Sequence, residues 1–111
     1  MCRALKVLCA ASDPERLIEL KRAVVSVHWE LRGGAMSVDE LVNQVDGLAP
    51  DVVVVDAALG EDAAIRVRQR RPTARIVSVG GPLDGADAVA DLEGVKEAIL
   101  GMPPVGGPVR T

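Results

Sequence analysis

The stretch Asp51-Val-Val-Val-Val-Asp56 places four consecutive valines between two aspartates. A short apolar run of β-branched residues predicts a strand that is buried on both faces, as in the centre of a parallel sheet. Open sheets of this kind place ligands and reactive groups at the carboxyl ends of their strands. Asp56, which stands at the carboxyl end of this strand, is therefore the first candidate for a functional residue.

Apolar strand-like runs and amphipathic helical segments alternate along the chain. Asp13-Pro14 and Ser37-Val-Asp-Glu40 are helix-start signals, because a capping side chain precedes either a proline or a glutamate at the favoured position. The order predicts a three-layer α/β/α, flavodoxin-like domain with five parallel strands in the order 2-1-3-4-5 and no helix after the last strand. Predicted strands cover residues 5–11, 27–32, 51–56, 75–79 and 95–100, and predicted helices cover residues 14–25, 38–47, 61–71 and 86–92.

The 111 residues fit a single domain, predicted over residues 1–101. Residues 102–111 are rich in proline and glycine, so we expect an irregular tail there. A net charge of -3 argues against direct binding of nucleic acid, and no apolar run is long enough to span a membrane. With two cysteines and no signal-peptide pattern, the cytoplasm is the expected location.

The segment Leu48-Ala-Pro-Asp-Val-Val-Val-Val-Asp56 resembles the central strand of the receiver domains of two-component response regulators. In that family, the last aspartate of this strand accepts a phosphoryl group from a histidine kinase. Residues 7–14 and 76–81 are similar to the family's first and fourth strands and the turns that follow them. The resemblance covers about residues 5–103, and it implies that Asp56 occupies the position of the phosphoacceptor.

The positions that carry the family's chemistry depart from its pattern. The family places two adjacent acids after the first strand, where this chain has Ala11 and Ser12. It places Ser or Thr at the end of the fourth strand and Lys after the fifth, and these positions fall on Gly80 and Met102. Asp13 is acidic but stands one place later, as a predicted helix cap. Phosphoryl transfer needs a divalent cation, which these replacements leave without ligands.

We therefore expect a stand-alone, degenerate receiver-like regulatory module that acts by protein–protein contact, without metal-dependent phosphorylation and without a cofactor. Two alternatives remain. In the first, the chain is a true phosphoacceptor that uses Asp56 and Asp13 around Mg²⁺. In the second, the crevice at the carboxyl ends of the strands binds a small molecule. No pairing of a nucleophile with a base is visible, so we do not expect an enzyme.

A missing last helix would leave an apolar face bare over strands one and five. Such a face usually marks an interface, and a symmetric homodimer is the commonest way to cover it. We expect a second copy of the chain, in a symmetric homodimer, to cover this face. A partner protein and the tail itself are the alternatives. The interface candidates are Ala86, Val89, Leu92, Ile99 and Leu100.

Two further features allow more than one interpretation. Trp29, the only aromatic residue of the chain, is either a core residue or an exposed anchor for a partner. Five arginines form a local basic cluster, which is either a solvated helix face or a surface for an acidic partner or a phosphate backbone. They are Arg66, Arg68, Arg70, Arg71 and Arg75.

Overall fold

The computed structural model describes residues 5–26 and 29–100. Five strands form one parallel sheet in the order β2-β1-β3-β4-β5, so the predicted fold class and strand order are confirmed. The strands are β1 (Leu5–Ala10), β2 (Trp29–Leu31), β3 (Val52–Asp56), β4 (Arg75–Val79) and β5 (Ala88–Ala90). The helices are α1 (Pro14–Val24), α2 (Val38–Leu48), α3 (Ala63–Arg70) and α4 (Val95–Leu100), and a 3-10 helix (Ala57–Leu59) follows β3.

Strand β3 lies in the centre of the sheet, and all five of its residues are buried. Its side chains alternate between two apolar cores, as the pleat of a strand requires. Val52 and Val54 pack in the core that includes residues of α1 and α4. Val53 and Val55 pack in the core that includes residues of α2 and α3. Helices on both faces therefore cover the valine run, which explains its lack of polar residues.

The two helix-start signals act as the sequence predicts. The Asp13 carboxylate accepts a hydrogen bond from the backbone N–H of Glu15 at 3.2 Å, at the start of α1. At the start of α2, the Ser37 hydroxyl accepts from the N–H of Glu40, and the Glu40 carboxylate accepts from the N–H of Met36 at 2.8 Å. Each cap provides a partner for a backbone N–H that the first helical turn leaves without one.

The assignments after β4 are wrong and need correction. The predicted helix over residues 86–92 instead contains β5, and the predicted strand over residues 95–100 is helix α4. Both segments are short and mix apolar with charged residues, so periodicity does not separate strand from helix there. In α4, Val95 and Ile99 stand four residues apart and are both buried, as on one helix face. The helix expected to be missing after the fifth strand is thus present.

Within the described chain, the connection that carries no helix is the one between β4 and β5. It spans residues 80–87, whereas parallel strands usually need a dozen or more connecting residues. The loop is fixed to α3, because the Arg68 guanidinium donates hydrogen bonds to the carbonyl of Gly85 at 3.1 and 3.2 Å. Leu83 and Ala86 pack against the core under α2 and α3. A loop therefore covers part of the surface that a helix would cover.

Predictions that fall on residues outside the described ranges are not tested. Residues 27 and 28 of the predicted second strand lie outside the described residues, as does the predicted tail over residues 102–111. The domain boundary at residue 101 also falls there and stays a prediction. In residues 5–26 and 29–100, no helix is long and apolar enough to cross a bilayer.

Substitution of Gly85 tests whether the loop over residues 80–87 packs against α3. Its φ is +90°, and a Cβ there would lie 3.1 Å from Ile65 Cγ1 and 3.2 Å from the Ile65 backbone nitrogen. We expect Gly85→Ala to lower the free energy of unfolding by about 1–3 kcal/mol. The matched control is Gly47→Ala in α2, where a Cβ would meet nothing within 4 Å and should stabilise by about 0.5–1 kcal/mol. Urea unfolding followed by Trp29 fluorescence measures both, and equal effects would contradict the assigned packing.

Cys9 provides a second test of the core. Burial raises the pKa of the Cys9 thiol to about 12, whereas the ordinary value is 9.0. Unfolding therefore releases a proton above pH 9, and the thiol's contribution to stability falls as the pH rises from about 9 toward 12. We expect the stability of a Cys2→Ser variant to decline relative to that of Cys2→Ser/Cys9→Ala between pH 8 and about 10.5. Parallel urea titrations would show the decline, and its absence would mean that the thiol is accessible.

Candidate functional site

Asp56 ends β3 at the carboxyl edge of the sheet and is only 8% exposed. Although it precedes the 3-10 helix, its side chain makes no capping hydrogen bond there. Its carboxylate instead forms an ion pair with Arg16, whose Nε lies 3.5 Å from Asp56 Oδ1. A carboxylate buried to this extent needs a charge partner, and an arginine from α1 supplies it.

Arg16 is the third residue of α1, and its side chain is 29% exposed. Its Nη1 also contacts Glu19 Oε1 at 3.3 Å. The guanidinium thus lies between one buried carboxylate and one exposed carboxylate. This arrangement fixes a positive charge at the carboxyl end of β3.

Gly80 completes the contact between β3 and α1. It follows β4, has a φ of +90°, and a Cβ built on it would lie 3.3 Å from Arg16 Nη2 and 3.5 Å from Asp56 Oδ1. The resemblance places Ser or Thr at this position. A side chain of that size would enter the space beside the guanidinium, so the glycine at 80 and the arginine at 16 fit each other. The structure therefore brings Asp56 and Gly80 together at the carboxyl end of the sheet.

The remaining positions of the expected metal site hold no suitable ligands. Ala11 is fully buried, and its N–H donates to the carbonyl of Ala35. Ser12 is exposed. The Asp13 carboxylate is committed to capping α1. In the part of the chain that the structure describes, no three His, Cys, Asp or Glu residues are grouped so as to hold a metal ion. Mg²⁺ requires several oxygen ligands in a regular octahedron, so these residues do not fit it.

The assignment of Met102 to the position after the fifth strand is wrong. Because β5 ends at Ala90, the position directly after it belongs to Asp91, and Met102 lies outside the described residues. Asp91 Oδ1 accepts a hydrogen bond from the N–H of Gly94 at 2.8 Å, which turns the chain toward α4. The site therefore carries a negative charge where the resemblance implies a lysine.

An open cavity of about 320 Å³ lies beside the ion pair. Its lining combines one cation with two acids, so its charge is mixed and not suited to a phosphate group. None of the lining residues is aromatic, so the cavity offers no ring to stack on a base. The lining residues are Arg16, Gly80, Asp91, Leu92 and Glu93.

Most arginines of the basic cluster form ion pairs or hydrogen bonds within the chain. Its arginines join α3 to α2, to the loop after β4 and to the segment before β3, so the cluster is not a free surface for a phosphate backbone. Arg66 and Arg70 form ion pairs with Asp39 and Asp46, Arg68 forms one with Asp87, and Arg71 donates to the carbonyl of Pro50.

Trp29 is a core residue, so the interpretation as an exposed anchor is wrong. Its side chain lies in the core under α1 and is 5% exposed. The indole Nε1–H donates to the carbonyl of Val24 at 2.5 Å, which gives the buried polar atom a partner.

The five interface candidates differ in how far they are exposed to solvent. Val89 is 55% exposed and Leu100 is 59% exposed, so both are available to a partner. Ile99 is 4% exposed and packs in the core, because residues 95–100 form a helix with this side chain toward the sheet. Its assignment to an interface is wrong. Ala86 and Leu92 are partly buried against the two cores.

Arg16 is the residue of the candidate site that the sequence did not reveal. An arginine in the first turn of an amphipathic helix is ordinary, and nothing in the spacing indicates that its guanidinium reaches the end of β3. The only signal is indirect, since a glycine at position 80 leaves room for a large side chain from elsewhere.

Comparison with known proteins supports the fold. No protein-family model matches the chain, and no curated protein matches it. The receiver domain of the putative response regulator NarL from Mycobacterium tuberculosis matches with a TM-score of 0.75 and 17% identity, covering 89% of this chain and 95% of that one. A CheY-like receiver domain protein from Methanospirillum hungatei matches with a TM-score of 0.74 and 16% identity, covering 88% and 92%.

A third similar structure is the response regulator domain of CheB from Thermotoga maritima, with a TM-score of 0.72, 18% identity, and coverage of 88% and 92%. All three are similar over nearly the whole of both chains at low identity. The resemblance to receiver domains is therefore confirmed at the level of the fold.

The ion pair can be tested by a double-mutant cycle. We expect Arg16→Met to lower the free energy of unfolding by about 1–3 kcal/mol, because it leaves the Asp56 carboxylate buried without a partner. Arg16→Met/Asp56→Asn should recover part of this loss, with a coupling of about 1 kcal/mol in urea titrations. Glu19→Gln, which removes the exposed partner of Arg16, is the control and should cost less than about 0.5 kcal/mol. A coupling of zero would mean that the two residues do not interact.

Proposed function

We propose that the chain is a receiver-like regulatory module in which Arg16 replaces the divalent cation, so that it acts by protein contact without phosphorylation of Asp56. The ion pair between Arg16 and the buried Asp56 carboxylate carries this proposal. The receiver fold supports a regulatory role. The proposed setting is the cytoplasm.

The argument against phosphorylation is electrostatic. A phosphoryl group that approaches Asp56 brings negative charge to a carboxylate, and the reaction depends on cations that neutralise the phosphoryl oxygens. A metal ion supplies several kcal/mol of such stabilisation. Here the single guanidinium is already paired with Asp56 and Glu19, and Asp91 adds negative charge after β5. The Asp56 carboxylate is thus already paired with Arg16. The negative charge that develops on the phosphoryl oxygens would lie near further acids.

The ion pair also has a structural role in this proposal. It ties the start of α1 to the end of β3, beside the turn at Gly80. A fixed arrangement at the carboxyl edge of the sheet favours a module that presents one constant surface. One of the similar structures is a response regulator receiver modulated diguanylate cyclase from Pelobacter carbinolicus, a protein in which a receiver is joined to an output activity. For this chain we propose a protein partner, with a second copy as the other candidate.

Mass spectrometry after incubation with acetyl phosphate and Mg²⁺ tests the proposal. We expect no phosphorylated species of the wild-type chain, because the acceptor is paired with Arg16 and residues 5–26 and 29–100 contain no group of ligands for a metal ion. The comparison variant is Ala11→Asp/Ser12→Asp/Arg16→Ala, which restores two acids and frees Asp56, and which should gain a phosphoryl group. Phosphorylation of the wild-type chain that Asp56→Asn abolishes would refute the proposal.

A further inference from the structure

Two Asp-Gly pairs occur in the chain, Asp46-Gly47 and Asp84-Gly85. In such a pair the glycine nitrogen can attack the carboxyl carbon of the aspartate side chain, because glycine has no Cβ to hinder the approach. A five-membered succinimide forms, and the N–H proton leaves with the carboxyl hydroxyl as water. A second water then opens the ring at the backbone carbonyl, which gives isoaspartate, a residue whose chain runs through the former side chain. The reaction therefore requires that the two groups can move toward each other.

The structure holds the first pair in place. Gly47 lies within α2, where a helical N–H is bonded to the carbonyl four residues earlier. The Asp46 carboxylate forms an ion pair with Arg70 of α3. Attack at this pair therefore requires α2 to open and the ion pair to break.

The second pair lies in the connection over residues 80–87, which contains no helix or strand. The N–H of Ala86 donates to the carbonyl of Leu83 at 3.1 Å, which closes a turn with Asp84 and Gly85 at its centre. The φ of +90° at Gly85 is close to the value that the second central position of a type II turn requires. Asp84 is exposed, and its carboxylate forms no hydrogen bond or ion pair with another described residue.

The peptide group that joins Asp84 to Gly85 can rotate within this turn. Neither its carbonyl oxygen nor its N–H bonds to another residue in the described ranges. The bonds that hold the turn lie on either side of this group, between Ala86 and Leu83 and from Arg68 to the Gly85 carbonyl. Type I and type II turns differ by rotation of this central peptide, and both keep the bond across the turn. The Gly85 nitrogen can therefore move toward the Asp84 carboxyl carbon at a small local cost.

Conversion to isoaspartate would change how the turn fits the rest of the protein. It adds one methylene group to the backbone between Leu83 and Ala86, whose side chains both pack against the core under α2 and α3. The bond across the turn and the bonds from Arg68 to the Gly85 carbonyl depend on the present backbone length. The longer turn does not satisfy both sets of bonds at once, so the connection would separate from α3.

We propose that Asp84-Gly85 is a site of spontaneous modification, at which Asp84 converts to isoaspartate and releases the connection before β5 from α3. The only co-reactant is water. The structure next to β5 then depends on the age of the molecule. The proposal does not rest on the chemistry of Asp56, so the two proposals succeed or fail separately.

Incubation of the folded chain in ¹⁸O-labelled water, followed by tryptic digestion in ordinary water, tests the site. Hydrolysis of each succinimide adds one labelled oxygen to the aspartate. Cleavage after lysine and arginine separates the two pairs into peptides over residues 33–66 and 76–96. We expect label in peptide 76–96 to accumulate about ten-fold faster or more than in peptide 33–66, because attack in α2 must wait for local opening. Methylation of peptide 76–96 by an isoaspartyl methyltransferase would identify the product.

Variants separate ring closure from other routes of labelling. Asp84→Glu keeps the charge but would need a six-membered ring, so labelling and methylation of peptide 76–96 should fall to background. Asp84→Asn should react faster than the wild type and release ammonia, because an uncharged amide is a better electrophile than an ionised carboxylate. The control variant Asp46→Glu should leave the rate at residue 84 unchanged. In the purified isoaspartate form, amide hydrogen exchange over residues 80–87 should be faster than in the unmodified chain.

The outcomes that would overturn this proposal are specific. Equal labelling of the two peptides in the folded chain would mean that the fold does not select this turn. Absence of label at residue 84, or an Asp84→Asn variant that does not lose ammonia, would mean that the peptide group is fixed. Unchanged hydrogen exchange in the isoaspartate form would contradict release from α3. In urea, the unfolded chain should label both pairs at similar rates, and a persistent difference would mean that the selection does not come from the fold.

Discussion

Burial of β3 on both faces and along both edges is the constraint on which the other elements depend. A strand with no exposed face needs a helical layer on each side, and α1 with α4 and α2 with α3 provide these layers. The same burial encloses the carboxylate that ends the strand, because Asp56 is only 8% exposed. A charge in that place must be balanced, so the fold itself requires a cation at the carboxyl end of β3.

Arg16 meets this requirement from within the chain. A divalent ion would need further oxygen ligands, and Ala11 provides none. An arginine carries its charge permanently and reaches Asp56 from the first turn of α1. It also needs space, which Gly80 leaves by having no side chain and by adopting a φ of +90°. The three residues thus form one arrangement, in which each replacement of the family pattern suits the others.

The sequence predicted the parts of the fold that strong local patterns determine. The valine run, the two helix caps and the order of strands and helices up to β4 follow from composition and spacing alone. Residues 86–100 were assigned wrongly because both segments are short, and six residues such as Val95–Leu100 are too few for their apolar spacing to separate a strand from a helix. The connection over residues 80–87 also breaks the usual length rule for parallel strands.

The candidate site was predictable only in part, for a different reason. Asp56 was identified because strand ends are local features, whereas its partner lies 40 positions earlier in the sequence and in a helix. Long side chains such as arginine reach several ångströms from their backbone, so a sequence pattern does not fix their contacts. The error at Met102 followed from the error in β5, since a displaced strand displaces every position counted from its end.

The short connection between β4 and β5 changes which surface the module exposes. With α4 in place, the apolar face that was expected to be bare over strands one and five is covered, and Val95 and Ile99 pack into its core. Val89 is an exposed apolar residue on the opposite face, at the sheet edge. This edge ends at Asp91, beside the cavity that Arg16 lines. The connection begins at Gly80, beside the ion pair of Arg16 with Asp56, so the absence of a helix there and the ion pair alter the same region of the surface.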